Sequence, residues 1–128
     1  MIRAFAGILL ALHGLVHLWY VALSSNLIEF KPEMGWTSDS WLLTGLLGSP
    51  ATRALATILF TAAAIGFLAA GTGLLMRSPW WQPVALVTAG FSTLLMLLLW
   101  DGHTTLLVQK GLVGLVINAA IITILSSR

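Results

Sequence analysis

His13 and His17 are the groups in this sequence best equipped for chemistry. A separation of four puts both imidazoles on one face of a helix. Tyr20 and Ser24 continue that stripe. The surrounding segment is apolar and long enough to cross a bilayer, which takes ~20 residues. Ionisable groups in such a segment are costly, and they face a bundle interior or a wet cavity. His13 lies near the middle of the segment, with His17 about one turn further along.

The neighbours they need must come from other segments. Asn118 lies near the middle of the last apolar stretch, at the depth of His13. Thr88 and Ser92 share a face of the third. Asp101, His103 and Lys110 collect at the end toward which His17 and Tyr20 lead. His13, His17, Tyr20, Asn118, Asp101, His103 and Lys110 therefore outline a candidate ligand path from the outer surface to the midplane.

Several uses of this set compete. Neutral histidines can bond Asn118, threonines or backbone carbonyls and so join helices. They can instead hold the polar head of a lipid-like or quinone-like ligand in a pocket. Two histidines at this spacing can share a metal, but further ligands would have to be Asp101 and His103 at the outer end. Haem ligation needs histidines on facing elements, where only His103 is available. Histidine near its natural pKa also suits proton transfer. No metal ligand or catalytic residue is assigned. Asp101 has a structural use as well, pairing with a Lys110 that snorkels up from the last helix.

The composition decides what positions these groups. Of 128 residues, 59% are hydrophobic and 8% charged, against roughly 25% charged in a soluble domain. Lipid must therefore be the solvent for most of the chain. The net charge of +2, without a basic run, gives nucleic acid nothing to bind. Cys is absent, which removes disulfides and thiolate chemistry.

Four spans are expected, at about 2–23, 50–76, 83–100 and 105–125, forming one domain over 1–128. Ser49 is the expected cap of the second span, with Pro50 at its first helical position. Pro79 offers a second start for the third, which ends at Asp101-Gly102. Thr104 is the expected cap of the fourth. The Met1-Ile2-Arg3 start also resembles a signal peptide, but two histidines suit an uncleaved helix better. The predicted fold is an all-α integral membrane protein: a four-helix transmembrane bundle with a short interfacial helix, Ser40 to Leu47, in the first long loop. Glu29, Lys31 and Glu33 read as solvated loop.

Small residues bring membrane helices together. Ala62, Gly66, Ala70 and Gly73 fall on one face of the second helix, with Thr57, Thr61 and Thr72 roughly opposite. Gly111, Gly114 and Asn118 share a face of the fourth. Gly66 and Gly114 are expected at helix contacts. Arg3, Arg77 and Arg128 lie on one side, and Lys31, Arg53 and Lys110 on the other with all four acids. That tie in basic residues, taken with the acids, places both termini in the cytoplasm. Trp80 and Trp81 would mark that interface; Trp19, Tyr20, Trp36, Trp41 and Trp100 would mark the outer one.

At His13-Gly14-Leu15-Val16-His17-Leu18 and Lys110-Gly111-Leu112-Val113-Gly114-Leu115-Val116-Ile117-Asn118, the chain resembles small bacterial four-helix membrane proteins. In size and layout it is similar to the DoxX-like group. That resemblance implies a plasma (inner) membrane location and a subunit of a quinone-linked oxidoreductase. No catalytic residue of that group matches a position here. The expected function is a membrane subunit or binding module with a polar intramembrane pocket for a lipid-like or quinone-like ligand. The alternative is a small membrane enzyme or redox subunit, quinone-linked, haem or metal. Expected partners are the bilayer and a homo-oligomer or larger membrane complex.

Overall fold

The computed structural model describes residues 1–29, 31–36 and 39–127, with Pro32 described by its backbone. The elements are α1 (Ile2–Ser24), a 3-10 turn (Pro32–Met34), α2 (Leu43–Leu47), α3 (Ser49–Leu75), α4 (Trp81–Leu98), and a π turn (Val108–Leu112) that runs into α5 (Val113–Ser126). No strand occurs among the described residues. α1, α3, α4 and the Val108–Ser126 segment are each long and apolar enough to cross a membrane. The protein is a four-helix transmembrane bundle.

Sequential spans run antiparallel: α1 packs on α3, α3 on α4, and α4 on α5. α1 and α5 have no comparable backbone packing, so the ring of helices is open on that side. The start of α1, the α3–α4 turn and the end of α5 share one end of the bundle, here the terminal end. The opposite is the far end.

Close approach is built on small side chains. A Cβ on Gly14 would stand 2.9 Å from the Phe67 Cβ and 3.0 Å from the Ala64 carbonyl. One on Gly71 would stand 2.7 Å from the Gly7 carbonyl. This seam joins α3 to α1. On its other side, Gly66 abuts the Thr88 side chain, and a Cβ on Gly73 would meet the Trp80 ring at 2.7 Å. Gly114 approaches Met96, whose methyl would lie 3.1 Å from an added Cβ. Gly66 and Gly114 thus sit at helix contacts. Ala62 and Thr72, by contrast, are exposed. The α3 faces are turned by about a residue, with Ala63, Ala64, Phe67 and Ala70 inward.

The helix ends differ from the expected caps. Ser49 lies inside α3, where Gly48 precedes the helix and no side chain caps it. α4 begins at Trp81 and stops at Leu98, two residues before Trp100. Thr104 caps nothing, because the fourth span enters through the π turn with Leu107 before it and no side-chain cap. Gly111 breaks the helix there at φ 103°. A side chain would be strained at that φ, and its Cβ would also meet the Met96 sulfur at 2.9 Å.

The first long loop stops α4. In lipid an unpaired carbonyl is costly, and the last turn of a helix leaves its carbonyls free. Trp41 Nε1 donates to the Leu97 carbonyl at 2.8 Å, and Trp36 Nε1 to that of Leu99 at 2.7 Å. The Ser40 hydroxyl donates to Leu98, and the Trp41 amide to the Trp100 carbonyl at 2.7 Å. Trp36 is consequently buried, 4% exposed, and marks no interface. α2 follows as five helical residues against α3. Arg53 performs the same service for α1, reaching the Leu23 and Ser24 carbonyls.

Two substitutions separate these contacts from open positions. Gly66→Ala drives a Cβ into Thr88 and should destabilise the detergent-solubilised protein by about 1–3 kcal/mol. Gly90 has nothing within 4 Å, so Gly90→Ala should leave stability unchanged or raise it by up to about 1 kcal/mol. Thermal unfolding of both variants checks the pair.

Candidate functional site

The two histidines face inward, His13 6% and His17 0% exposed. Ile8, Leu15 and Trp19 on the other face are exposed to lipid. His13 Nε2 lies 2.8 Å from Asn118 Oδ1. His17 Nδ1 lies 2.9 Å from the His13 carbonyl, and its Nε2 is 2.7 Å from the Ser92 hydroxyl. Asn118 Nδ2 donates to that same hydroxyl at 2.9 Å. One connected network therefore ties α1, α4 and α5 together at mid-span. Phe67 closes it on the α3 side, its ring edge-on to His13 at 4.5 Å.

The other expected residues form a separate group at the far end. Lys110 Nζ and Asp101 Oδ2 pair at 2.8 Å, with side chains 7% and 5% exposed. The His103 amide donates to Asp101 Oδ1 at 3.0 Å, and Lys110 also donates to the His103 carbonyl. His103 itself is exposed and takes part through its backbone. The Tyr20 hydroxyl donates to the Gln109 carbonyl at 3.0 Å, one of the acceptors the broken helix leaves over. Burial alone would raise the Asp101 carboxyl; the Lys110 ammonium and the His103 amide outweigh this and hold it below its ordinary value.

The continuous polar path from the far end to the midplane is not formed. Tyr20 stacks on Phe60 at 4.9 Å. Between them, Met96, Asp101 and Lys110 only about 10 Å³ is open, room for roughly one water. The two polar groups are thus separated by packed side chains.

The open space lies on the other side of the histidines. Because α1 and α5 stand apart, a cleft of about 300 Å³ runs from His13 to the terminal end. Leu9, Leu10 and His13 of α1 face Ile117, Ala120, Ile121, Ile124 and Leu125 across it, with Leu74 and Trp81 at its terminal end. It is apolar except where His13 reaches it. Among the described residues, His13 Nδ1 has no hydrogen-bond partner, yet no fully buried side-chain nitrogen or oxygen lacks one. Nδ1 therefore remains accessible, on a residue that lines the cleft.

Sequence reasoning placed Ser92 on the right helix face but outside the candidate set, although it carries two of the network's bonds. The carbonyl-capping roles of Trp36 and Ser40, and Gln109 as an acceptor, lie outside those expectations, since only a helix end needing partners singles them out. Among the described residues no three His, Asp or Glu side chains gather as a metal site would require. No protein-family model, curated protein or solved structure matches the chain.

Two measurements probe these groups. Ser92→Ala strands His17 Nε2 and Asn118 Nδ2, and unfolding in detergent should show a loss of about 1–3 kcal/mol. The Asp101 pair contributes above the unfolded carboxyl pKa of about 3.9 and is lost as pH falls through the lower folded value. Wild-type stability should therefore drop on acidification below about pH 4, and Asp101→Asn should flatten that part of the curve.

Proposed function

We propose that this multi-pass membrane protein is a small binding subunit whose α1–α5 cleft takes a lipid-like or quinone-like molecule. One observation carries the reading: an apolar cleft of about 300 Å³, lined from α1 and α5, ends on a buried imidazole. Ligand sites are mostly apolar concavities of about 300–1,000 Å³ with a few placed polar groups, and this cleft has that character. Its opening between two spans suits a ligand arriving from the bilayer.

The membrane we propose is the bacterial inner membrane, with both termini cytoplasmic. The DoxX-like resemblance supports the location. Orientation gains support from how two of the three far-end cations are used: Lys110 is paired with Asp101, and Arg53 caps α1. Arg3 and Arg77 at the terminal end make no such bonds among the described residues, while Arg128 lies outside them. The same resemblance supports a place in a larger, quinone-linked assembly.

The test is co-purification. Protein extracted in mild detergent should carry a lipid or quinone that solvent extraction and mass spectrometry detect. Ala120 is exposed on the cleft wall, so Ala120→Trp should fold normally and lose most of that species. Equal amounts of bound species in both proteins would contradict the proposed site.

A further inference from the structure

We propose that the group facing His13 in the cleft is a hydrogen-bond donor, so that the occupant is an apolar chain ending in a hydroxyl. This rests on the cleft as the binding site and specifies its chemistry. The His13 carbonyl only accepts, so His17 Nδ1, 2.9 Å away, carries a proton. A charged ring at mid-membrane is costly, and among the described residues no acid pairs with either imidazole. Neutral His17 therefore accepts at Nε2, and the Ser92 hydroxyl donates to it across 2.7 Å. That uses the one proton of Ser92. Its oxygen can then only accept from Asn118, which fixes Nδ2 toward Ser92 at 2.9 Å. Asn118 Oδ1 is left facing His13 at 2.8 Å, so His13 Nε2 donates. The remaining nitrogen, His13 Nδ1, is an unprotonated acceptor on a residue that lines the cleft.

A carbonyl or an ether presents only lone pairs and would meet this nitrogen with repulsion. A hydroxyl meets it with a hydrogen bond. Depth narrows the class further. His13 is eleven residues beyond Ile2, roughly 16 Å at 1.5 Å per residue, about half of a ~30 Å hydrocarbon core. A phosphate or zwitterionic headgroup would lose its water there. A long-chain alcohol or a quinol loses little, since its one or two hydroxyls are small and uncharged. The shared chemistry is therefore an apolar chain with a hydroxyl donor, aliphatic or phenolic.

The test uses wild-type protein with ¹⁵N-labelled histidine rings in lipid nanodiscs. Without added ligand, NMR should show His13 protonated at Nε2 and bare at Nδ1. Farnesol should then shift the Nδ1 resonance in a saturable way. Farnesyl methyl ether, the same chain without the donor, should bind at least about fivefold more weakly, the factor expected of one net hydrogen bond. Decylubiquinol against decylubiquinone repeats the comparison for a phenolic donor, so the two pairs separate alcohol from quinol as the source. A His13 ring protonated at Nδ1, or cationic, overturns the proposal whatever the cleft binds. Equal affinity within both pairs overturns the donor class while leaving the cleft as a lipid site. No saturable response to any of the four probes, in wild type as in Ala120→Trp, removes the cleft reading and this proposal with it.

Discussion

A backbone carbonyl with no proton to give orders the centre of this bundle. It directs His17, then Ser92, then Asn118, then His13, each bond deciding the next. In lipid, apolar side chains gain nothing from leaving the solvent, so close packing and hydrogen bonds decide which helices meet. Polar groups weigh heavily, because an unsatisfied one is costly. The network joins α1 to α4 and α5 at a single depth, and the glycine seams bring α3 close enough for Phe67 to seal it. The same bonds leave the α1–α5 side bridged at one level and open below it, and that opening is the cleft.

The far end follows the same constraint by other means. α4 stops before its carbonyls find partners, and the tryptophans and serine of the first loop supply them. The last span breaks at Gly111, and Tyr20 takes up a released carbonyl at Gln109. Lys110 and Asp101 neutralise each other beside that break. These contacts cover the far end of the bundle, and Tyr20, Phe60 and Met96 leave little open space beneath them. The cleft accordingly lies in the terminal half of the bundle.

Much of this was legible in the residues. Four apolar stretches of sufficient length gave the spans, and the four-residue histidine spacing gave the inward face. Matching depth along two helices paired His13 with Asn118, and proximity paired Asp101 with Lys110. What remained hidden depends on neighbour order around the ring. Lipid-facing and helix-facing sides of these spans are both largely apolar, so periodicity does not say that α1 and α5 stand apart. The expected outer pocket was closed by side-chain bulk from three different helices, a quantity no single segment displays. The α5 entry was hidden because Gly111 reads equally well as a packing glycine and as a break. Trp36 read as an interface residue because the carbonyl it serves lies 63 positions away.

One continuous hydrogen-bond network fastens α1 to α5 and leaves His13 on the cleft wall. A double-mutant cycle of His13→Leu and Asn118→Leu, read by unfolding in detergent, measures that linkage. Each single change strands a buried partner, whereas the double change removes both. The expected result is a double variant more stable than the summed singles indicate, with a coupling of about 1–2 kcal/mol. Additive losses would mean that the two side chains do not depend on each other, and would contradict the network.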